Sequence, residues 1–414
     1  MSQNRKHFFQ ALGPGIVFAG MCIGVSHLVQ STRAGADYGF VLLIAVIAAN
    51  LFKYPFFEFA SRYTGATGVS ILDGYAKMGR WIIWLYTLIT VITMFIVTAA
   101  VTFVAAGLLG NLMPWSLDTN VWAAIIMGIC IVILASGQYS ALDGLLKVVS
   151  VVLLLSTIVA FFSAVFKGTK PPVEGFIPPE VMTPAGIIFA VALMGWMPTA
   201  VDISTWTGLW AEARVKQTGY KPLLKETLLD FNIGYLMSTV LAVIFLSLGA
   251  MVIYGSGTEL SNSAPVFAGQ LIGMYTDSIG EWSYFIIAIA AFSTMFSTSI
   301  TVLDGYGRVM TRLTEILTGR KHSRQYTLWV IVVALGGFFV ISQFLGNLKQ
   351  LVDFATILSF VVAPAAAYIN YRAIFSKEIL QDFRPPPWLK KLAIAGLVFL
   401  SVFTLIYFYV LLIL

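Results

Sequence analysis

Two short segments interrupt apolar stretches of this sequence with residues that can bind a small ion. Residues 24–27 read Gly-Val-Ser-His, and residues 195–199 read Gly-Trp-Met-Pro-Thr. Proline lacks a backbone donor and clashes with the preceding helical turn, so Pro198 is expected to break a helix. The two segments offer an imidazole, a thioether, hydroxyl groups and freed backbone groups, from Gly24, Ser26, His27, Met197 and Thr199. We therefore predict a binding site for a small ion where these segments meet.

The composition places both segments in a membrane protein. Of 414 residues, 59% are hydrophobic and only 11% are charged, and the mean hydropathy is +0.88. A soluble domain usually carries about 25% charged residues. The sequence therefore predicts an all-α protein that crosses the lipid bilayer many times, and it excludes a secreted, fibrous or disordered protein.

Eleven apolar stretches are long enough to span a hydrocarbon core of ~30 Å. Their approximate bounds are 12–31, 39–61, 81–109, 121–137, 143–166, 184–208, 230–254, 282–303, 327–345, 350–371 and 390–413. The polar segments lie in the first and the sixth. Paired interruptions near the midplane are typical of carriers built from inverted repeats. We predict one transmembrane domain with repeats at approximately 12–166 and 184–371 and an additional helix at 390–413; two ordinary kinks are the alternative.

The basic residues indicate the orientation in the membrane. With the N-terminus inside, 20 of the 25 Lys and Arg residues fall on the inner side, four on the outer side and one, Lys53, within a stretch. Because cytoplasmic loops carry the excess of Lys and Arg, we predict a cytoplasmic N-terminus and an external C-terminus, in a bacterial inner membrane. The net charge of +6 is an orientation signal, so no nucleic-acid partner is expected.

Several motifs resemble the Nramp family of divalent-metal transporters. They are Leu-Gly-Pro-Gly at 12–15, Ser-Thr-Arg-Ala-Gly-Ala-Asp-Tyr-Gly-Phe at 31–40, Ala-Asn-Leu at 49–51, Ala-Ser-Arg at 60–62 and Met-Pro at 197–198. The resemblance extends over essentially the whole chain. It implies the LeuT-type fold, with 11 transmembrane helices, a 5+5 inverted repeat, broken first and sixth helices, and transport by alternating access.

The sequence departs from the family at the positions that bind metal. The family's first break reads Asp-Pro-Gly-Asn, with Asp and Asn as metal ligands, and the corresponding residues here are Gly24, Val25, Ser26 and His27. The family's Met-Pro-His becomes Met-Pro-Thr, ending at Thr199, and a second family histidine corresponds to Ser204. The thioether is therefore retained at Met197, whereas the carboxylate and both sixth-helix histidines are absent.

Loss of the carboxylate changes the expected substrate. A divalent cation at the midplane needs negative charge or many oxygen ligands to replace its hydration shell. Half-helix N-termini, each equivalent to roughly +0.5 charge, favour an anion instead. With hydroxyl groups from Ser26 and Thr199 and a donor from His27, we expect a small oxyanion such as bicarbonate. The alternatives are a divalent metal such as Mn²⁺ or Mg²⁺, bound through imidazole and thioether, and a small organic or zwitterionic solute.

The eighth stretch is rich in hydroxyl side chains. In transporters that resemble LeuT, hydroxyl groups of this helix and carbonyl groups of the first break form a Na⁺ site, which corresponds here to Ser297, Thr298 and Thr301. Na⁺ would offset the charge of an anionic substrate, so we expect it as a coupling ion and expect no other cofactor. Ser and Thr also pack between membrane helices, and a structural role is the alternative.

Four charged residues fall within the predicted spans, where a charge is costly and functional by default. They are Lys53, Glu58, Asp202 and Asp353. Glu58 precedes Arg62 by four residues, which is the spacing of a helical ion pair. We expect gating or conformational locking from Asp202 and Asp353, and a partner on another helix for Lys53.

An enzyme is not expected from this sequence. It contains no HExxH, P-loop or GxSxG motif and no cluster of His and Asp. A channel is the other class to consider, but paired breaks favour a carrier that binds its substrate and rocks around it. The expected partners are a small inorganic ion and the lipid bilayer, and no obligate protein partner is evident.

Overall fold

Helices form all the regular secondary structure in the part of the chain that the structure describes. The structure is a computed structural model, and it describes residues 13–137, 139–169, 171–343 and 347–413, with the side chains of 139–150 excepted. Residue 12, with which the first predicted span and the first family motif begin, lies outside these ranges. So do some of the basic residues counted for the orientation.

The helices follow one another in chain order with short connections. Their bounds are α1 Pro14–Cys22, α2 Thr32–Tyr38, α3 Leu43–Thr67, α4 Ile71–Met78, α5 Arg80–Leu112, α6 Thr119–Ser136, α7 Tyr139–Lys167, α8 Pro184–Gly195, α9 Thr205–Thr218, α10 Leu224–Val252, α11 Ala264–Ile279, α12 Tyr284–Thr318, α13 Gln325–Gln343, α14 Leu348–Ile374 and α15 Pro387–Ile413. A π-helix, Ser26–Ser31, joins α1 to α2, and a 3₁₀-turn, Asp202–Ser204, precedes α9.

Each predicted span coincides with one helix or with a pair of helices around an interruption. Among the described residues, nine segments are long and apolar enough to cross a membrane, and shorter apolar helices cover Val151–Lys167 and Pro184–Gly195. The prediction of a multi-pass helical protein is therefore confirmed. The number of eleven crossings, the repeat boundaries and the orientation stay predictions.

The helix α10 supports both halves of the first segment. A Cβ atom on Gly35 of α2 would lie only 1.9 Å from the Leu246 carbonyl oxygen, and one on Gly234 would lie 2.0 Å from the Gly15 carbonyl oxygen of α1. At the start of α1, the Asp230 carboxylate of α10 accepts from the backbone N–H of Gly15 at 2.6 Å. This carboxylate caps a helix end whose amides lack helical partners. Glycines therefore allow backbone-to-backbone packing along the whole first segment.

The helix α14 supports the end of α8 in the same way. A Cβ atom on Gly195 would lie 2.0 Å from the Thr356 carbonyl oxygen. One residue later, Trp196 Nε1 donates to Ser359 Oγ at 2.8 Å. The helix α5 lies at the centre of the bundle and packs against α6, α11, α12, α13 and α14. The two interrupted segments are thus held against helices that run without interruption.

We predict that Gly35→Ala destabilises the protein by about 1–3 kcal/mol, the usual cost of overpacking, because the added methyl group would collide with α10. Thermal unfolding of the detergent-purified protein measures this effect. Gly20→Ala in α1 is the matched control, because a Cβ atom there meets nothing within 4 Å and alanine favours a helix by about 1 kcal/mol. Equal unfolding midpoints for the two variants would contradict the close packing of α2 on α10.

Candidate substrate site at the two interrupted helices

The first segment is interrupted by a single turn. α1 gives way to a turn at Ile23 and Gly24, and the chain then resumes as the π-helix Ser26–Ser31. The amide of Leu28 donates to the Gly24 carbonyl at 2.9 Å, so this carbonyl already has a partner. Single π-turns are frequent at functional sites. The interruption is narrower than the predicted 24–27, since the resumed helix already includes residues 26 and 27.

The sixth segment is interrupted more widely. α8 ends at Gly195, residues 196–201 are not helical, and the 3₁₀-turn Asp202–Ser204 leads into α9. The Met197–Pro198 pair lies in this gap, where proline was expected to break the helix. The broken first and sixth helices of the predicted fold are therefore both present, although they differ in width.

A cleft lies between the two interruptions, α5 and α12. Its polar lining consists of three hydroxyl side chains, from Ser26, Thr199 and Thr298. The remaining lining is apolar and includes Val25, Val97, Val101, Trp196 and Ile203. Within the described part of the chain, no carboxylate lines this cleft. The geometry thus brings together Ser26 and Thr199 as predicted, with Thr298 beside them.

His27 points toward α10. Its ring is fully buried, and its Nε2 lies 2.8 Å from the Ser238 carbonyl oxygen. Because a carbonyl only accepts, Nε2 carries the proton and donates. On the other side of the ring, Nδ1 lies 2.9 Å from Ser26 Oγ, and the Ser26 hydroxyl donates to the Cys22 carbonyl at 2.6 Å. The imidazole therefore ties the first segment to α10, and its predicted role as a substrate ligand stays a prediction.

Met197 is also engaged away from the lining of the cleft. Its side chain is fully buried, and its sulfur accepts a hydrogen bond from the Ser31 hydroxyl at 3.6 Å. The contact joins the gap of the sixth segment to the end of the π-helix. A metal could use this thioether only if Ser31 released it, so the predicted role of Met197 as a ligand likewise stays a prediction.

Lys53 of α3 reaches the sixth interruption and is fully buried there. Its ammonium donates to the carbonyl oxygens of Met194 at 2.5 Å, Gly195 at 2.8 Å and Thr199 at 3.3 Å. The first two belong to the last turn of α8, where the Met194 carbonyl also accepts a long hydrogen bond from the Met197 N–H at 3.4 Å. The expected partner on another helix is therefore a set of backbone carbonyls, which no sequence pattern marks.

Asp202 lies on the α5 side of the same interruption. Its Oδ2 accepts from Thr93 Oγ1 at 2.9 Å, and its backbone carbonyl accepts from the Tyr86 hydroxyl at 2.5 Å. Among the described residues, its buried Oδ1 has no hydrogen-bond partner. The carboxylate is thus buried beside the gap without lining the cleft, and its gating role stays a prediction.

The predicted Na⁺ ligands of α12 differ in their surroundings. Thr298 lines the cleft and touches the first interruption, because a Cβ atom on Gly24 would lie 2.9 Å from its methyl carbon. Thr301 donates to the Ser297 carbonyl at 2.8 Å within its own helix. The buried Thr294 hydroxyl, which the sequence reasoning missed, has no partner among the described residues. Thr298 is therefore the member of the predicted set that meets the first interruption.

A polar cluster of two buried side chains and a half-buried carboxylate lies on the α2 side of the cleft. Both terminal nitrogens of Arg33 donate to the Asp353 carboxylate, at 2.7 and 3.1 Å, and Gln30 donates to it at 3.0 Å. The Arg33 guanidinium also lies over the Phe189 ring of α8, 5.0 Å from its centroid. Asp353 was predicted from the sequence as a gating residue. Arg33 was one of the four basic residues that the predicted topology places on the outer side. The spacing of Gln30 and Arg33, one helical turn apart, was the available signal.

Charged contacts also hold the α1 side of the bundle. Arg62 pairs with Glu58 at 2.5 Å, as their spacing predicted, and it donates to the Phe383 carbonyl at 3.3 Å. Farther along the chain, the Glu212 carboxylate accepts from the backbone N–H of Ser70 at the start of α4. Burial raises the pKa of Glu212. These contacts tie the ends of α3 and α9 to neighbouring elements, so Glu58 has a structural partner.

In the ranges that the structure describes, no group of three or more His, Cys, Asp or Glu residues could hold a metal ion. The two soft groups at the interruptions, His27 and Met197, bind Ser238 and Ser31 respectively. In this conformation the cleft therefore presents hydroxyl groups rather than a preformed set of metal ligands.

Residues 15–410 match the family described as Natural resistance-associated macrophage protein-like. The chain is 37% identical over 408 residues to the uncharacterized protein PM0681 of Pasteurella multocida, which covers 96% of this chain and 92% of that protein. It is 23% identical to a protein of Listeria welshimeri named divalent metal cation transporter MntH, over 97% of this chain and 90% of the relative. The family motifs in the sequence therefore extend to similarity over nearly the whole chain.

Two solved structures share the fold. The manganese transporter of Eremococcus coleocola, in complex with an aromatic bis-isothiourea substituted compound, has a TM-score of 0.71 at 14% identity and covers 98% of this chain and 87% of its own. MhsT in complex with L-phenylalanine has a TM-score of 0.64 at 14% identity and covers 96% of this chain and 98% of its own. The predicted LeuT-type fold is confirmed. The chain is therefore a multi-pass membrane transporter that belongs to the Natural resistance-associated macrophage protein-like (Nramp) family.

Proposed function

We propose that this transporter carries a small inorganic oxyanion, such as bicarbonate, by alternating access. The observation that carries the proposal is the polar lining of the cleft, which consists of the hydroxyl groups of Ser26, Thr199 and Thr298. A hydroxyl group can donate to an anion. Ser26 and Thr298 would first have to release the Cys22 and Thr294 carbonyls, to which they donate at 2.6 and 2.9 Å in this conformation. A divalent cation that leaves water also needs negative charge close by, and the described lining supplies none.

A positively charged side chain behind the cleft also favours an anionic substrate. The Lys53 ammonium donates to the carbonyl of Thr199, a residue that lines the cleft. Charges on neighbouring groups interact strongly in a medium of low dielectric constant. The ammonium therefore attracts an anion in the cleft and repels a divalent cation. Asp202 carries the opposite charge, but its carboxylate lies on the α5 side and binds Thr93.

Na⁺ is the coupling ion in this proposal. Thr298 is the hydroxyl that touches the first interruption, next to Gly24. A cation bound there would lie close to the anion in the cleft, and the two charges would offset each other during transport. Thr294 is one helical turn away and offers a second, unpartnered hydroxyl on the described part of α12.

Transport of a divalent metal is the second candidate, because relatives carry that name. The Listeria protein is named a divalent metal cation transporter, and the similar solved structure is of a manganese transporter. Met197 offers a thioether, which suits softer transition metals. Its sulfur would have to leave Ser31 and turn into the cleft, so this candidate requires a rearrangement of the gap.

Flux into proteoliposomes distinguishes the two candidates. We expect bicarbonate-dependent alkalinisation of the vesicle interior that grows with an inward Na⁺ gradient, together with no Mn²⁺ signal from a trapped fluorophore. Protein-free liposomes are the control, and saturation with trans-stimulation separates a carrier from a channel. Mn²⁺ flux without bicarbonate flux would overturn the anion proposal in favour of the second candidate.

Gly24→Asp restores the family's carboxylate at the edge of the cleft. We expect it to lower bicarbonate flux by about tenfold or more relative to Gly24→Asn, because like charges brought together cost several kcal/mol. Both variants add a Cβ atom 2.9 Å from the Thr298 methyl carbon, so the comparison isolates charge from size. Equal bicarbonate flux through the two purified variants would mean that the anion binds elsewhere.

Asp353→Asn tests the cluster on the α2 side as a gate. It leaves the buried Arg33 without its carboxylate, so we expect the maximal transport rate to fall by about tenfold or more, since unpairing a buried charge costs several kcal/mol. Glu378→Gln is the matched control, because it breaks the exposed ion pair with Lys77, worth about 0–1 kcal/mol. Initial rates in proteoliposomes that are equal for both variants would contradict the gate.

A further inference from the structure

The interruption of the sixth segment creates a cluster of backbone carbonyls that is suited to a cation. The carbonyl oxygens of Met194 and Gly195 end α8, and that of Thr199 follows within the gap. All three converge on one point, within 3.3 Å of the Lys53 nitrogen. The C-terminal end of a helix carries a partial negative charge, and such half-helix ends coordinate cations in other carriers. The sixth interruption thus presents three backbone oxygens to one cationic side chain.

Lys53 fills this site completely. An ammonium has three donors, and each of the three carbonyls accepts one of them. The side chain is fully buried, so bulk solvent does not reach these contacts. The ring of Phe360 on α14 lies with its centroid 6.0 Å from the ammonium and covers another side. The described surroundings therefore hold the ammonium away from bulk solvent.

We propose that Lys53 is a tethered cation that permanently occupies the carbonyl site of the sixth interruption and thereby sets the sign of the substrate in the adjacent cleft. The site cannot admit an inorganic cation while the ammonium is present, because all three oxygens are taken. The charge is fixed within one residue of the lining, through Thr199. Lys53 is therefore a specificity-determining residue. The effect of Lys53 on the charge of the substrate rests on the proposed function, whereas its occupancy of the carbonyl site does not.

The charged groups around Lys53 are consistent with this role. Asp202 lies on the α5 side of the same interruption. Its Oδ2 is engaged by Thr93, and the direct partners of the ammonium are neutral carbonyls. Because a neutral oxygen does not cancel a charge, the field of the ammonium extends into the cleft.

Lys53→Ala tests the occupancy of the site. The substitution removes the atoms from Cγ to Nζ, which correspond in size to n-propylammonium. We expect n-propylammonium or Na⁺, but not choline at equal ionic strength, to raise the thermal unfolding midpoint of the purified variant in a saturable way. The wild-type protein and Lys77→Ala, which loses only an exposed ammonium, should not respond. A folded Lys53→Ala protein that is insensitive to every cation would overturn the proposal.

Lys53→Gln provides a second test if the alanine variant fails to fold. The amide keeps two donors for the carbonyls but removes the charge. We expect the ratio of bicarbonate flux to Mn²⁺ flux in proteoliposomes to fall by about tenfold or more, a change that a purely structural role would not produce. An unchanged ratio would contradict the role in substrate sign.

The two proposals fail in different ways. Absence of bicarbonate flux through the wild-type protein would overturn the proposed function. Cation-dependent stabilisation of Lys53→Ala would nevertheless support the tethered cation, because that measurement does not involve the substrate.

Discussion

The structure of this transporter depends on how backbone groups released by helix interruptions are satisfied inside the membrane. An unpaired N–H or C=O in hydrocarbon costs several kcal/mol, so irregular backbone there occurs only where polar partners are supplied. The narrow first interruption is satisfied locally, through the Gly24 carbonyl and the Ser26 hydroxyl. The wide sixth interruption takes its donors from another helix. The Lys53 ammonium of α3 donates to three of its carbonyl oxygens. One buried side chain therefore allows the sixth segment to open.

The supporting helices keep these interruptions in place. Glycine contacts bring α10 onto both halves of the first segment, and α14 onto the end of α8 at Gly195. Because the backbones of the paired helices approach so closely at these glycines, the helices have little freedom to slide past one another. The His27 ring adds a polar tie between the first segment and α10. The cleft lies between segments that are each fixed to an uninterrupted helix, so its hydroxyl lining has a defined geometry.

The family membership and the proposed anionic substrate are compatible for a physical reason. The Nramp match rests on residues 15–410, most of which pack helices against one another. In the proposed function only a few side chains near the interruptions meet the substrate, and exchanging them leaves the helix contacts intact. A carrier can therefore keep its scaffold while the sign of the charge at its centre changes. Fold and substrate are separable here because they depend on different residues.

Sequence alone determined the helical membrane architecture, both interrupted segments and the family. Apolar runs, the proline at 198 and the family motifs carry that information, since burial in lipid and helix breaking depend on local chemistry. Only the tertiary structure decided which atoms line the cleft. The π-turn after Gly24 shifts the side chains that follow it around the helix axis, so His27 meets α10 while Ser26 lines the cleft. The carbonyl partners of Lys53 were equally hidden, because every residue carries a carbonyl and only the fold brings three of them to one ammonium.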